Sequence, residues 1–353
     1  MKNRVLLGMS GGVDSSVSAI LLKKSGYEVI GATMSLWKGE IEGSCCSFSA
    51  TYDAKRVCEK LEIPHYTFNM EDEFKKRVVD NFVNCYSNCK TPNPCVECNK
   101  YLKFGTFYQK ALELECDYIA TGHYAKVEFS EKYGKEVLKK SNSLKKDQTY
   151  FLYSIPKEVI PKIVFPLAKY EDKAEIRKIA EENDLKVAKK PDSQEVCFIP
   201  DNDYASFLVR NMDKIENKGK IVNSNGDILG NHKGLIYYTI GQRKGLGISY
   251  KEPLYVVKLD KKKNQVVVGT EKDLYRKELY AVNLNFLVYD EIPEKLKVKA
   301  KIRYRAKEAD ALVEKISNDK VKVIFEEPQR AITPGQSVVF YDDDIVIGGG
   351  IIE

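Results

Sequence analysis

Residues 9–16 read Met-Ser-Gly-Gly-Val-Asp-Ser-Ser and place glycines, hydroxyls and one carboxylate within reach of a single anion. Glycines let the backbone approach a phosphate closely. The N–H groups at the start of a following helix, with the hydroxyls of Ser10, Ser15 and Ser16, would donate to the phosphate oxygens. Asp14 would repel a bare phosphate, so its carboxylate indicates that Mg²⁺ accompanies the anion. The stretch therefore predicts a site for a metal-bound phosphate.

The flanking residues supply the strand and the helix that such a loop needs. Val5 to Gly8 is a short apolar run typical of a buried strand, and Val17 to Leu22 is a helical run closed by Gly26. The loop has neither the G-x-x-x-x-G-K-S/T pattern nor G-x-G-x-x-G, which excludes a Walker loop and a dinucleotide fingerprint. The alternative is a structural glycine turn with a serine cap.

Cysteines form the second group of residues that could do chemistry. Cys95 and Cys98 make a C-x-x-C that is redox-active, half of a zinc site or part of an iron–sulfur site. Pro92 and Pro94 predict a rigid loop around both thiols, meeting a helix near Asn99, where a thiol is more reactive. A closed zinc site with four cysteine ligands is disfavoured, because the sequence has no second C-x-x-C and three histidines.

The remaining cysteines divide into three sets. Cys197 follows Ser193-Gln194-Glu195-Val196 in a second loop-like segment. Cys45 and Cys46 lie near a predicted strand end, where they would relay sulfur or simply pack. For Cys58, Cys85, Cys89 and Cys116 we expect packed thiols within helical stretches.

Composition bounds the class of protein. The chain has 353 residues, 43% hydrophobic and 31% charged, with a net charge of +6, which predicts a soluble protein of two or three domains. Nine cysteines without a visible secretion signal favour a reducing cytoplasm. No apolar run has membrane-spanning length, so we expect no membrane partner.

Apolar strands alternate with helices over the first half, which predicts a parallel sheet with crossover helices. Ligands of such sheets bind at the carboxyl ends of the strands, and Met34 and Gly122 lie at two such ends. The pattern predicts strands at 29–34, 66–70 and 117–121, and helices at 50–61, 71–86, 101–114 and 173–183.

Short alternating runs punctuated by glycine and asparagine predict an antiparallel β module after about residue 205 and a second β segment from about residue 280. Its expected strands lie at 219–223, 234–240, 254–259 and 265–269. The lysine-rich segment 129–146 reads as a hairpin or mobile loop, and residues 342–344, three aspartates, as a hairpin turn. Arg243 and Lys244 stand among glycines in a loop that contacts nucleic-acid backbone or is simply solvated.

One predicted strand carries an unusual charge pattern. Cations at every second position would share one face, opposite an apolar face, which favours binding of a polyanion such as nucleic acid. Neighbouring acids or a solvated, lysine-protected edge strand are the alternative. The cations are Lys297, Lys299, Lys301, Arg303 and Arg305.

Together these motifs resemble the tRNA-specific 2-thiouridylase (MnmA) family of PP-loop ATP pyrophosphatases over nearly the whole chain. The matching motifs are 10–15, 91–94, 98–100, 122–125, 147–148, 193–198, 238–247 and 334–336. The resemblance implies an α/β N-terminal PP-loop (adenine nucleotide alpha-hydrolase-like) domain with a parallel sheet at residues 1–204. A small central β domain at 205–279 and a tRNA-contacting C-terminal β-barrel at 280–353 would follow.

The resemblance also implies a reaction and its participants. ATP would adenylate O2 of uridine 34, the wobble base, and sulfur would then displace AMP at C2. The partners would be the tRNA anticodon stem-loop and a sulfur donor or persulfide carrier protein. The ATP residues would be Gly8, Met9, Ser10, Gly11, Gly12, Val13, Asp14, Ser15, Met34 and Gly122. The tRNA residues would be Asn93, His123, Asp147, Gln148, Thr149, Tyr304, Arg305 and Gln336.

The catalytic residues implied are Cys98, as nucleophile or resolving thiol, and Cys197, as persulfide carrier, with Asp14 in the ATP loop. Many members of the family have aspartate where this chain has Cys95. Three thiols, Cys95, Cys98 and Cys197, match thiolases that hold a [4Fe-4S] cluster with one open iron, so a cluster-bound hydrosulfide is the alternative to a persulfide. Two other classes stay open, a PP-loop enzyme that amidates a small molecule and a metal-stapled RNA-binding protein without catalysis.

Overall fold

A computed structural model describes residues 3–37, 48–190, 196–199, 203–212 and 218–353. Cys45 and Cys46, and the start of the motif before Cys197, lie outside the described residues. The strands are β1 (Arg4–Gly8), β2 (Glu28–Ser35), β3 (His65–Asn69), β4 (Tyr118–Ala120), β5 (Ala125–Ser130), β6 (Lys135–Lys140), β7 (Ile163–Val164), β8 (Gly219–Val222), β9 (Ile228–His232), β10 (Tyr255–Asp260), β11 (Gln265–Gly269), β12 (Tyr275–Phe286), β13 (Lys295–Lys301), β14 (Ala309–Ser317), β15 (Lys320–Arg330), β16 (Ser337–Asp342) and β17 (Ile345–Ile352).

The helices are α1 (Val13–Lys24), α2 (Phe48–Lys60), α3 (71–87), α4 (94–113), α5 (Lys173–Glu182) and α6 (Tyr204–Asn211). Helices α3 and α4 each contain a π-helical stretch, Lys75–Val79 and Cys98–Thr106. Short 3-10 segments lie at Thr149–Phe151, Lys157–Lys162, Lys186–Lys189, Leu235–Tyr237 and Glu271–Leu274. No helix among the described residues is long and apolar enough to cross a membrane.

The N-terminal sheet is parallel, in the order β3-β2-β1-β4-β7. Leu6 points into one apolar cluster and Val5 and Leu7 into another, because successive strand residues face opposite sides. The order changes direction at β1, so a crevice opens where β1 and β4 end. The parallel α/β fold predicted for this domain is confirmed.

Helix α4 differs from the prediction. It begins at Pro94, with Asn93 in the N-cap position, so Cys95 and Cys98 lie in its first turns and the predicted rigid loop around them is wrong. Proline is favoured at the first helical position, because its missing N–H would have no intrahelical partner there.

The central sheet has the order β10-β11-β8-β9. Strands β8 and β11 pair in parallel, so the expectation of a wholly antiparallel module is wrong for that pair. The expected strand at 234–240 is also wrong. Gly234 adopts φ +140°, and the chain continues as a 3-10 turn at Leu235–Tyr237.

The C-terminal sheet closes into a barrel, in the order β12-β15-β14-β13-β16-β17-β6-β5 with β12 also pairing β17. Strands β5 and β6 come from the N-terminal half, and the hairpin predicted within 129–146 is confirmed as this pair. The aspartates at 342–344 form the β16–β17 turn, with Asp343 at φ +53°.

The basic stripe predicted on one strand is shorter than expected. Strand β13 ends at Lys301, where the chain turns and Ala306 N donates to the Arg303 carbonyl at 3.0 Å, so Arg303 and Arg305 do not belong to the strand. Lys299 bonds Asp310 at 3.1 Å, and Arg303 donates to the Arg330 carbonyl at 3.1 Å. Neighbouring groups therefore compensate part of the positive charge.

Candidate active site

The glycine-rich loop joins β1 to α1 at the crevice. Gly11 has φ +67°, and a side chain there would collide with the Ala50 carbonyl of α2, so both the turn and the packing require glycine. Gly12 occupies the N-cap of α1 without a side-chain cap, which leaves N–H groups at the start of that helix for a ligand.

The loop serines have different roles. The hydroxyls of Ser15 and Ser16 both donate to the Gly12 carbonyl, at 3.2 and 2.8 Å, and both side chains are buried. Ser10 is exposed, and its hydroxyl lies 3.2 Å from that of Ser15. Ser10 is thus the hydroxyl best placed for a phosphate, whereas Ser16 holds the loop in shape.

Residues predicted to bind ATP meet at the strand ends. A Cβ on Gly8 would lie 3.8 Å from the Met34 methyl group, from the Phe107 ring and from the Ala120 carbonyl. Gly122 is equally close to the loop, since a Cβ there would lie 3.0 Å from Asp14 C and Ser15 N.

Two further loop residues contribute differently. The side chains of Met9 and Val13 are buried in the core, so their backbone alone is available to a nucleotide.

Asp14 is bound by two side chains from elsewhere in the domain. Tyr124 Oη donates to Asp14 Oδ1 at 3.0 Å, and Lys173 Nζ lies 2.7 Å from Oδ2. Lys173 is the first residue of α5, which Asp172 and Glu175 cap reciprocally. Sequence reasoning missed Lys173, because nothing local distinguishes it from other lysines.

Lys190 is a second cation that the sequence did not reveal. Its ammonium group lies 3.3 Å from the Gly11 carbonyl and 2.5 Å from Asp53 of α2. It therefore ties the loop to the segment that leads toward Cys197.

His123 lies between Thr121 and Lys103. Lys103 Nζ is 3.4 Å from His123 Nε2, and Thr121 Oγ1 is 2.7 Å from Nδ1. Because an ammonium group only donates, Nε2 accepts and Nδ1 carries the proton. Burial, and secondarily the charge of Lys103, hold the pKa of His123 well below its usual value, so this imidazole is neutral.

The first turns of α4 carry two thiols in different environments. Cys95 is exposed, whereas Cys98 is 7% exposed. Burial raises the pKa of Glu97 between them, while Lys100 opposes the shift. Asn99 Nδ2 donates to the Phe151 carbonyl at 2.9 Å, and its buried Oδ1 has no hydrogen-bond partner.

The three thiols do not fit a cluster site as they are placed. Among the described residues, no three His, Cys, Asp or Glu side chains form a group that could hold a metal ion. Cys98 and Cys197 instead share one apolar cluster, in which Cys98 is buried and against which Cys197 packs. The arrangement therefore favours a pair of thiols, and no step below uses iron.

The same donor set bears on Mg²⁺. Asp14 is the carboxylate of the loop, and both its oxygens already accept hydrogen bonds. A Mg²⁺ ion would therefore be held chiefly by the phosphates it accompanies.

Three residues expected to contact tRNA lie in a junction between the domains. Asp147 and Thr149 are buried, and Thr149 donates to Asp147 at 2.6 Å. Gln148 Oε1 accepts from Tyr124 N at 3.0 Å. In this arrangement the side chains of Asp147 and Thr149 present no surface to a ligand.

The other expected tRNA residues lie nearer the surface. Tyr304 is half-buried and packs on Phe151, with ring centroids 4.4 Å apart, and Arg305 is exposed. Gln336 donates to the carbonyls of Thr91 and Pro92, two and one residues before Asn93.

Three family models match the chain in order. They are the tRNA methyl transferase HUP domain at residues 3–201, the tRNA methyl transferase PRC-barrel domain at 206–270 and the aminomethyltransferase beta-barrel domain at 276–352. Fold and site thus define a three-domain protein whose HUP domain carries a phosphate loop of the PP-loop type.

Curated relatives narrow this class. The chain is 52% identical to tRNA-specific 2-thiouridylase MnmA of Clostridioides difficile over 100% of this chain and 99% of the relative. It is 51% identical to the MnmA of Acetivibrio thermocellus, with the same coverage. The chain belongs to the tRNA-specific 2-thiouridylase MnmA family.

Solved structures give more distant likenesses. The U34-tRNA thiolase NcsA from Methanococcus maripaludis with its [4Fe-4S] cluster matches with a TM-score of 0.35 and 22% identity, over 60% of this chain and 66% of that chain. A 4-thiouridine synthetase–RNA complex with bound ATP matches with a TM-score of 0.36 and 19% identity, over 59% and 50%. At these levels neither likeness bears on the site.

Proposed function

We propose that the protein uses ATP to replace the C2 oxygen of uridine 34 in tRNA with sulfur. Helix α4 is the observation that carries the proposal. It holds Cys98 near its start, Lys103 beside His123 and Phe107 against Gly8 of the phosphate loop. One rigid element therefore connects a thiol to the nucleotide site, as an enzyme that activates a base and then attacks it with sulfur requires. Membership of the thiouridylase family supports the same substrate.

The first step is adenylation. O2 of the uridine attacks the α-phosphorus of ATP, the bond to pyrophosphate breaks, and AMP becomes attached to O2. Backbone N–H groups at the start of α1 and the hydroxyl of Ser10 bind phosphate oxygens, while Lys103 and Lys173 supply positive charge. Mg²⁺ entering with ATP would neutralise further phosphate charge. The base must leave its stack to reach this crevice, which suits an anticodon loop.

The second step transfers sulfur. Cys197 carries a persulfide whose outer sulfur attacks C2, and AMP leaves with the former O2. Cys98 then attacks the inner sulfur, which breaks the S–S bond, releases the 2-thiouridine and leaves a Cys98–Cys197 disulfide. A thiol reductant restores both thiols, and a persulfide donor protein reloads Cys197. The shared apolar cluster of the two thiols supports this pairing.

The test is thiolation by the purified protein with ATP, Mg²⁺, a persulfide donor and unmodified tRNA. We expect tRNA-dependent release of pyrophosphate and formation of 2-thiouridine. Cys98→Ser and Cys197→Ser should abolish 2-thiouridine, whereas Cys85→Ser on α3, a matched half-buried thiol, should not. Pyrophosphate release that a small metabolite stimulates and tRNA does not would indicate the amidating class. No ATP turnover would indicate an RNA-binding protein.

A further inference from the structure

The turn between β15 and β16 of the C-terminal barrel lies directly on the chain segment before α4. Gln336 Nε2 donates to the Thr91 carbonyl at 2.9 Å and to the Pro92 carbonyl at 3.3 Å. Thr91 N in turn donates to the Pro334 carbonyl at 2.8 Å. Three hydrogen bonds thus join two segments that are far apart in sequence.

Gly335 makes this contact sterically possible. It adopts φ +90°, and a Cβ there would lie 2.9 Å from both Lys90 Cβ and Thr91 N. A real Cβ does not approach other atoms so closely, so the two backbones meet at a distance that only glycine allows.

The barrel side of the contact is anchored to β17. Gly335 N donates to the Ile352 carbonyl, and Ile352 N donates to the Gln336 carbonyl, both at 2.8 Å. The amide of Gln336 therefore extends from a fixed backbone.

The other side of the contact leads directly to the thiols. Thr91 and Pro92 precede Asn93, the N-cap of α4, and Cys95 follows in the first turn. The carbonyls held by Gln336 consequently set where the helix begins and how its first turn is oriented.

We propose that Gln336 is a positioning residue through which the C-terminal barrel places the Cys95–Cys98 turn for sulfur transfer. The inference deepens the proposed function and rests on it for the identity of the reaction. It gives Gln336 a role different from direct contact with tRNA. A tRNA seated on the barrel is then aligned with the thiols, because the barrel itself holds the start of α4.

The chemistry of glutamine suits this role, since its amide nitrogen carries two hydrogens and serves two carbonyls. Gln336→Glu keeps the shape but places a carboxylate against two carbonyl oxygens. Once protonated, the carboxyl regains one donor, so the defect of Gln336→Glu should shrink relative to wild type as pH falls. A loss of function caused by misfolding alone would lack this pH-dependent recovery.

The first experiment needs no tRNA. Alkylation of Cys98 is followed by mass spectrometry in the wild type, Gln336→Glu, Gln336→Ala and a control, Gln329→Ala, whose amide donates to the Glu327 carbonyl of its own strand. We expect Cys98 to react about threefold faster or more in both Gln336 variants, because the turn that buries it is loosened. Cys58, fully buried under α2, should stay unreactive in all four proteins. Unchanged Cys98 reactivity would overturn the proposal.

The second experiment separates positioning from binding. We expect Gln336→Glu to lower single-turnover thiolation at saturating tRNA about tenfold or more, with the Kd for tRNA changed less than about twofold. A weakened Kd with a wild-type single-turnover rate would show direct tRNA contact instead and overturn the proposal. If the wild type forms no 2-thiouridine, the proposed function fails, and the alkylation rates still decide whether Gln336 positions the turn.

Discussion

Lys173 Nζ lies 2.7 Å from Asp14 Oδ2, and this pair changes how the phosphate loop is understood. The charge of Asp14 does not by itself require a metal, because a lysine from another helix already compensates it. Tyr124 binds the second carboxylate oxygen at 3.0 Å, so the carboxylate is held in one orientation. Asp14 therefore orders the loop and its neighbouring cation as well as any Mg²⁺ that ATP brings.

Asp14→Ala should abolish adenylation and leave tRNA affinity nearly unchanged, because it removes the group that orients Lys173 and Tyr124 within the nucleotide site. Lys173→Met should lower tRNA-dependent pyrophosphate release about tenfold to a hundredfold through loss of a cation near the phosphates. The control is Lys178→Met on the exposed face of the same helix, where Lys178 is paired with Glu182. Equal loss of tRNA binding in a gel-shift assay would contradict this division of roles.

Lys103→Met should slow adenylation about a hundredfold, since Lys103 brings positive charge to the region between the phosphate loop and Cys98. Pyrophosphate release under single-turnover conditions measures this step directly. Lys110→Met is the matched control, because Lys110 lies on the same helix and pairs with Glu113 at 2.7 Å in an exposed position. Wild-type adenylation by Lys103→Met, with a slow sulfur step, would move the role of Lys103 to the second reaction.

His123 should remain neutral in the folded protein at pH 6, where the unfolded chain already binds a proton, because burial lowers its pKa. A lowered native pKa means that stability is lost as pH falls below the unfolded value of about 6.5. NMR titration of the imidazole protons checks the assignment, and a midpoint near 6.5 would contradict it. Lys103→Met should raise the pKa of His123 only partly, since burial is the larger cause.

Cys95→Ala and Cys95→Asp should retain thiolation in air with a persulfide donor, because the described residues hold no three-ligand group and Cys95 lies outside the apolar cluster of Cys98 and Cys197. Iron and sulfide analysis of protein purified without oxygen accompanies the assay. Iron bound by the wild type and lost together with activity in Cys95→Ala would establish the cluster instead.

Lys297→Ala with Arg305→Ala should weaken tRNA binding and reduce the slope of log K against log salt by up to about one unit per contact. Both side chains are exposed on the barrel. Lys299→Ala should have a smaller effect, because Lys299 is already paired with Asp310. The same salt dependence in all three proteins would show that this surface is merely solvated.

Local sequence sufficed where neighbouring residues determine the structure. The phosphate loop, its strand and its helix follow from residue types within one short segment, and their prediction is confirmed in place. The start of α4 was missed because proline both breaks helices and begins them, and the sequence alone does not say which applies at Pro94.

Tertiary placement accounts for most of what sequence could not reveal. Lys103 and Lys173 are two of many lysines, and only the fold brings them to His123 and Asp14. Strand β13 was read too far because alternation continues past Lys301, although the chain turns there. The contact of Gln336 with Thr91 joins segments whose proximity no local pattern encodes.

The hairpin of β5 and β6 makes the order of synthesis matter for this protein. Lys140 N donates to the Asp344 carbonyl at 2.8 Å, and Lys139 pairs with Asp344 at 3.0 Å, so the hairpin is completed by a turn made about 200 residues later. On the ribosome the N-terminal domain can form its parallel sheet early, but this hairpin must wait until β17 has emerged. The nucleotide-binding half and the barrel are therefore not separable modules, and a gene fragment encoding either one would leave strand edges exposed to aggregation.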